Sequence, residues 1–172
     1  MRILGVDPAL TRTGYGIIDA DDTRYSLVKA GIIQTSSKNS APQRFLKIFD
    51  TISTIIANTK PDVMVLEKVF VHYHHPTTAF LLGQARGIIC LSCARANIPL
   101  VEYSATRVKK SIVGQGHALK SQVQRMVVAL LNLGTIPKYN DVTDALALAI
   151  AYTHMHKADE RRMLFHNSLQ SR

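Results

Sequence analysis

Short apolar runs separated by polar turns fill the first part of the chain, which is the pattern of β-strands. Residues 3–6 are apolar or glycine and are followed by Asp7 and Pro8. A central strand carries apolar side chains on both faces and proline cannot continue its ladder, so this run predicts a buried strand ending at Asp7. Residues 13–19 and 25–34 predict two more strands, with a turn at Asp21-Asp22 between them.

The period of the apolar positions then changes from that of a strand to that of a helix. Within 42–58, apolar residues recur at spacings of three and four, namely Phe45, Ile48, Phe49, Ile52, Ile55 and Ile56. Residues 63–66 predict a short strand that ends, like the first, on a carboxylate, Glu67. The rest of the chain predicts a helix from Pro76 to about Asn97, a strand at 100–103, a short helix after Ser104, a helix over 118–131 and a last helix from Asp141 to about His156.

The order of these elements predicts an α/β fold with one mixed sheet. Three strands joined by short turns imply antiparallel neighbours, and the later alternation of strand and helix implies parallel additions to the same sheet. We therefore expect five strands flanked by helices on both faces, in a single domain of residues 1–156, followed by a loosely ordered tail of residues 157–172. The helix from Pro76 has apolar or small residues nearly all round, so it is either buried or shared with another subunit.

Charge points to a polyanionic partner. The 172 residues include 21 Lys and Arg against 12 Asp and Glu, a formal net charge of +9, with the basic residues spread along the chain. This balance favours nucleic acid, and the alternatives are an acidic protein partner or a contribution to solubility. Two cysteines, Cys90 and Cys93, lie in an apolar run, which indicates core residues of a reduced protein. No apolar run is long enough for a membrane span, so we expect a cytoplasmic protein without a cleaved leader.

Two further acids, Asp141 and Asp144, are three positions apart and project from one side of a helix. Alone, they could equally cap that helix or bind a ligand. With Asp7 and Glu67 at two strand ends, however, four carboxylates could converge at one sheet edge, where they would repel unless cations neutralised them. Ligands that are all oxygen suit Mg²⁺ or Mn²⁺ rather than zinc. Two such ions could activate water and stabilise the leaving oxygen of a phosphodiester, so these residues favour a metal-dependent nuclease.

The motifs then resemble one known family, the bacterial RuvC Holliday junction resolvases. The matching segments are Gly5-Val6-Asp7-Pro8, Thr13-Gly14-Tyr15-Gly16, Leu66-Glu67-Lys68-Val69-Phe70, Leu82-Gly83-Gln84-Ala85-Arg86-Gly87, Lys120-Ser121-Gln122-Val123 and Asp141-Val142-Thr143-Asp144-Ala145-Leu146-Ala147. They follow the family's order over about residues 1–156. The resemblance implies a ribonuclease H-like fold, a homodimer through the helix at 76–97, and paired symmetric nicks at four-way DNA junctions. It also implies cooperation with a branch-migration motor of the RuvA and RuvB type.

The resemblance also implies roles for single residues. Asp7, Glu67, Asp141 and Asp144 match the metal-binding acids, which would hold two Mg²⁺ ions, with Mn²⁺ able to substitute. Phe70 matches an aromatic residue that approaches the junction bases, and Lys109 and Lys120 match basic residues near the cleaved strand. We expect Lys120 to stabilise the negative charge that develops at the phosphate during cleavage, and so to be catalytic together with the four acids.

The sequence departs from the family at two places. Ala9 stands where the family usually has glycine, so the turn after Asp7 must avoid positive φ or accept strain. The loop at 71–76 contains three histidines and lacks the basic residue and asparagine common there, which puts the DNA contacts of that loop in question.

Three other functions are compatible with parts of the pattern. A non-catalytic junction-binding module would keep the fold, but it would gain nothing from carboxylates facing phosphate. An actin-like ATPase domain also opens with Gly-x-Asp and a hairpin containing glycine. Such a domain needs a second phosphate loop, and this sequence shows none. Another ribonuclease H-like nuclease, acting on RNA, is the nearest enzymatic alternative.

Overall fold

The computed structural model describes residues 1–21, 24–68 and 76–170. These ranges contain five strands and five helices. In chain order the elements are β1 (Arg2–Asp7), β2 (Arg12–Ala20), β3 (Tyr25–Gln34), α1 (Ala41–Thr59), β4 (Val63–Glu67), α2 (Pro76–Arg95), β5 (Leu100–Tyr103), α3 (Ala105–Val113), α4 (Lys120–Leu130) and α5 (Asn140–Gln170).

The strands form one mixed sheet in the order β3-β2-β1-β4-β5. β1 to β3 are joined by short turns and pair antiparallel, whereas β4 and β5 each follow a helix and pair parallel. Val6 pairs with Leu66, so the carboxyl ends of β1 and β4 lie side by side at one edge of the sheet. This confirms the predicted mixed sheet of five strands.

Helices cover both faces of the sheet, as predicted, and each face has its own apolar core. On one face, Ile3, Val63 and Val65 pack against α3, α4 and α5. On the other face, Leu4, Val6, Met64 and Leu66 pack against α1 and α2. Because side chains alternate along a strand, this division places the side chains of Asp7 and Glu67 on the face covered by α5.

Glycines of the sheet face helix α5 and allow its backbone to approach the strands closely. The segment from Ala145 to Ala151 is almost completely buried. A Cβ on Gly5 would overlap the carbonyl oxygen of Ala145 and lie 3.1 Å from the backbone nitrogen of Ala149. A Cβ on Gly14 would overlap the carbonyl of Asp141, so the first turn of α5 rests on the β1–β2 hairpin. These contacts fix the distance of the Asp141 carboxylate from β1.

We expect Gly5→Ala to destabilise the protein by about 2–3 kcal/mol, because the new methyl group meets backbone that cannot rotate away. Gly134→Ala is the matched control, since a Cβ there meets nothing within 4 Å and its φ is not positive. Urea denaturation of both variants gives the two free energies of unfolding. Equal stability of the two variants would show that α5 moves away from the sheet at little cost.

The bounds of the elements differ in detail from the predicted ones. α5 continues to Gln170, whereas the pattern predicted an end at about His156, because residues 157–170 contain no glycine or proline to stop the helix. α4 begins at Lys120 because the side chain of Gln122 accepts the backbone N–H of Leu119 at 2.8 Å. The loose order of residues 157–172 and the domain boundary at residue 156 stay predictions.

The two cysteines are free thiols, and Cys93 is buried while Cys90 is half-buried, which agrees with a place in the core. The Cys93 thiol contacts the carbonyl oxygen of Ile98 at 3.0 Å. Burial raises the pKa of the Cys93 thiol. Among the described residues, no helix combines the length and the apolar character needed to cross a bilayer.

Candidate active site

Asp7 and Glu67 end adjacent parallel strands, and both side chains point to the face covered by α5. Each is half-buried. Gly14 is the partner of Asp7 in the antiparallel pair, so the first turn of α5, which rests on Gly14, lies beside Asp7. The fold therefore brings the two strand ends together with the start of α5.

The start of α5 is anchored by hydrogen bonds around Asn140. The Asn140 side-chain oxygen accepts a hydrogen bond from Gln124 Nε2 at 2.9 Å, and its carbonyl accepts the hydroxyl of Thr143 at 2.8 Å. The helix begins at Asn140, which places Asp141 and Asp144 within its first two turns. A helix N-terminus carries partial positive charge, which favours carboxylates at these positions.

The electrostatics of Asp7 report the convergence of all four acids. The pKa of Asp7 rises from 3.8 to about 7, first because of burial and then because of the negative charges of Asp144, Glu67 and Asp141, while Lys120 opposes the rise. The pKa of Glu67 also rises, through burial and the charge of Asp144, with Lys120 and then Lys109 acting in the opposite direction. Acids from three separate segments of the chain, the ends of β1 and β4 and the start of α5, thus interact electrostatically.

Lys120 forms an ion pair within this cluster. Its Nζ donates to Asp144 Oδ2 at 2.5 Å. Burial lowers the pKa of Lys120, but the hydrogen bond to Asp144 and the charges of Asp144, Asp7 and Asp141 outweigh burial and raise it overall. Lys120 therefore keeps its charge and lies within reach of whatever binds between the carboxylates.

An open cavity of about 180 Å³ adjoins these groups. Its polar lining comprises two of the acids and both predicted lysines, and its remaining walls are apolar; the lining residues are Glu67, Ala105, Val108, Lys109, Lys120, Val123, Asp144, Ala147 and Leu148. The structure thus places Lys109 and Lys120 at one cavity with Glu67 and Asp144. The expected contact of the two lysines with the cleaved strand stays a prediction. Phe70 and the histidines of the loop at 71–76 lie outside the described residues.

Two arginines beside the acids were not predicted to act there. Arg12 Nη1 lies 3.7 Å from Asp141 Oδ2, and the Arg12 guanidinium stacks over the Tyr139 ring with Cζ at 4.8 Å from its centroid. The buried Nε of Arg12 has no hydrogen-bond partner within the described part of the chain. Arg86 Nη1 donates to the carbonyl of Glu67 at 2.9 Å, and its guanidinium forms an ion pair with Glu102.

Arg86 links helix α2 to the strand end that carries Glu67. We expect Arg86→Gln to destabilise the protein by about 1–2 kcal/mol, because Glu102 loses its ion pair and the Glu67 carbonyl loses a charged donor. Arg86→Lys keeps the charge but not the two-armed geometry, so its loss should be smaller. Urea denaturation measures both. If Arg86→Lys were the less stable variant and Arg86→Gln were as stable as the wild type, Arg86 would not stabilise the protein through these two contacts.

The donor set fits divalent cations that prefer oxygen ligands. Four carboxylates meet, two of them with raised pKa values, and their mutual repulsion is what bound cations would relieve. The side chains do not close on a single point: in the ranges 1–21, 24–68 and 76–170, no three Asp, Glu, His or Cys side chains are grouped closely enough to surround one ion.

Solved structures with the same fold define the class of protein. The structure resembles that of RuvC from Thermus thermophilus with a TM-score of 0.86 and 26% identity, covering 92% of this chain and 97% of that one. A second structure of the Thermus protein, in complex with a Holliday junction substrate, has a TM-score of 0.84 at 23% identity, covering 92% and 96% of the two chains. The fold is thus ribonuclease H-like, and with its carboxylate cluster it defines a nuclease of that class.

The family follows from sequence. Residues 3–154 match the family model described as crossover junction endodeoxyribonuclease RuvC. The RuvC protein of Rhodopirellula baltica is 43% identical over 148 residues, which cover 86% of this chain and 83% of that protein. The chain belongs to the RuvC family of crossover junction endodeoxyribonucleases, which are metal-dependent nucleases.

Proposed function

We propose that this protein resolves four-way DNA junctions by paired symmetric nicks, with Asp7, Glu67, Asp141 and Asp144 as the ligands of two Mg²⁺ ions. Mn²⁺ would substitute, since it prefers the same oxygen ligands. The observation that carries the proposal is the electrostatic coupling of Asp7 to the other three acids. The junction named as the substrate of the Thermus relative supplies the substrate class.

The positions of the acids and lysines support their proposed roles, and the family match supports that of Phe70. When bound, the cations would lower the pKa of the attacking water and offset the charge on the leaving oxygen. The four acids hold and orient them at the edge where β1, β4 and α5 meet. Lys120 lies beside Asp144 and supplies a further positive charge for the reacting phosphate. Lys109, across the same cavity, and Phe70 complete the proposed contacts with the DNA strand.

Charge around the site favours this substrate. The four acids are a third of the twelve in the chain, so eight remain against 21 basic residues. A positive body draws in the phosphate backbone, while bare carboxylates at the centre repel it until cations bind. Junction binding should therefore tighten when divalent cations are added.

We propose that the protein is a homodimer through α2. The inner side of α2 buries Ala85, Ile89 and Cys93 against the sheet. On its outer side Phe80 and Leu91 are 66% and 58% exposed, and a Cβ on Gly83 or Gly87 would meet nothing within 4 Å. An apolar stripe with small residues, which allows close approach of a second helix, fits a second copy of this chain better than water.

Leu91→Glu should convert the dimer to a monomer at micromolar concentration, because two like charges would face each other across the α2 pair. Sedimentation velocity measures the mass of both proteins. Leu46→Glu is the matched control, since Leu46 is also exposed, at 59%, but lies on α1. A Leu91→Glu protein that sediments with the wild type would remove α2 from the interface.

We further propose that the protein cooperates with a branch-migration motor of the RuvA and RuvB type. Family membership supports this partnership. Because the substrate is DNA, we also propose that the protein acts in the cytoplasm.

The decisive experiment compares a synthetic four-way junction with a linear duplex of the same sequence while Mg²⁺ is titrated. We expect paired nicks in the junction only, with none in the presence of a chelator. Binding of the junction without cleavage at any Mg²⁺ or Mn²⁺ concentration would instead identify a binding module. Cleavage of an RNA–DNA hybrid in preference to the junction would identify a different nuclease.

A further inference from the structure

A second polar cavity lies at the same edge of the sheet, on the side covered by α1. It has a volume of about 550 Å³ and no acidic residue in its lining, which consists of Thr11, Gln34, Thr35, Ser36, Ser37, Asn39 and Lys47. Gln34 pairs with Arg12 in the β2–β3 ladder. Since Arg12 also approaches Asp141, this residue of β2 lies between Gln34 at the cavity and Asp141 in the carboxylate cluster.

Arg44 is held at this cavity by hydroxyl groups. The hydroxyl of Thr35, which is only 4% exposed, donates to the carbonyl of Leu10 at 2.5 Å and accepts from Arg44 Nε at 2.9 Å. Arg44 Nη2 donates to the hydroxyl of Thr11 at 3.2 Å. Both side-chain hydroxyls belong to residues that line the cavity, so these two hydrogen bonds hold the guanidinium next to the cavity lining.

The positive charge of Arg44 is available to bind an anionic ligand. In the described part of the chain no carboxylate forms an ion pair with Arg44. A guanidinium has five N–H donors in a planar fork, and the two hydrogen bonds to hydroxyls leave three unused. Lys47, on the next turn of α1, adds a second positive charge to the same cavity. The Arg44 guanidinium, held in place beside a lysine and several serine and threonine hydroxyls, offers the hydrogen-bond donors and positive charge that bind a phosphodiester.

We propose that Arg44 and Lys47 form a phosphate subsite that binds the DNA backbone beside the cleavage site. Its identification with DNA rests on the proposed function, because the cavity adjoins the same sheet edge as the carboxylates. The subsite contributes affinity and position rather than chemistry. It reads no bases, since its donors suit phosphate oxygens.

The test measures the affinity of metal-free protein for a four-way junction and for a linear duplex between about 50 and 200 mM salt. We expect Arg44→Gln to bind both DNAs about ten-fold more weakly at the lower salt concentration, and to reduce the slope of log affinity against log salt by about 0.9. Arg44→Lys should keep the slope and lose part of the affinity, because it retains the charge without the fork. Thermal unfolding of each variant checks that the fold is retained.

Lys60→Asn is the matched control, because it removes one positive charge at the end of α1 remote from Arg44 and because asparagine tolerates the positive φ of 47° found there. It should leave the salt slope unchanged. An unchanged slope for Arg44→Gln, or an equal reduction for Lys60→Asn, would overturn the subsite. Because binding is measured without divalent cations, this result does not depend on cleavage: a protein that fails to cut junctions refutes the proposed function and leaves the salt slopes to decide the subsite.

Discussion

Replacing Asp7 with asparagine is expected to lower the rate of junction cleavage about 10³-fold, because an amide cannot supply the charge that holds a divalent cation at the centre of the cluster. Asp7 interacts electrostatically with each of the other three acids, which places it within reach of the whole cluster. Single-turnover cleavage of a labelled four-way junction at saturating Mg²⁺ measures the rate. Junction affinity without metal should stay the same or rise, since a negative charge is removed from the path of the phosphate.

Asp50→Asn is the control for this experiment, because it makes the same chemical change on an exposed turn of α1 remote from the sheet edge. Its cleavage rate should equal that of the wild type. If Asp7→Asn cut the junction at the wild-type rate, the carboxylate cluster would not be the catalytic centre, although the family assignment would stand. If Asp7→Asn lost both binding and thermal stability, the substitution would have disturbed the fold instead.

The meeting of Asp7 and Glu67 could be predicted from the sequence for a definite reason. Both acids directly follow short apolar strands, and a strand that follows a helix crossover pairs parallel to its neighbour. Parallel pairing brings the carboxyl ends together, as the register of Val6 with Leu66 shows. The acids at the start of α5 could be predicted only as candidates, because Asp-x-x-Asp serves equally well as a helix start.

The contacts that hold the site could not be predicted, because they join residues distant in sequence through shape. The overlap that a Cβ on Gly5 or Gly14 would make with α5 shows why that helix lies so close, yet a glycine in a strand gives no sign of which backbone faces it. In the sequence, Arg86 belongs to the matching segment at 82–87, and nothing there indicates a contact with Glu67. Only the fold brings it to the Glu67 carbonyl, just as it brings Arg12 to Tyr139 and Asp141.

The raised pKa of Asp7 leads to a second prediction, on stability. The folded protein holds a proton on Asp7 up to a pH of about 7, whereas the unfolded chain releases it near 3.8. Between these values the folded state binds more protons, so the free energy of unfolding of metal-free protein falls as the pH rises through this window. The amide that Asp7→Asn introduces does not ionise. This variant should therefore be more stable than the wild type by about 1–2 kcal/mol at pH 8, after screening is allowed for, and nearly equal to it at pH 4.

Thermal unfolding in a chelator at pH 4, 6 and 8 measures this difference, which corresponds to a rise in Tm of about 2–8 °C at pH 8. The order of stability should reverse when Mg²⁺ is added at pH 8, because the cation binds the ionised carboxylates of the wild type and lacks a ligand in the variant. Asp50→Asn should follow the wild type at every pH and Mg²⁺ concentration. A wild-type protein whose metal-free stability changed between pH 5 and 8 in parallel with that of Asp7→Asn would mean that neither burial nor the neighbouring acids raise the pKa of Asp7 in the folded state.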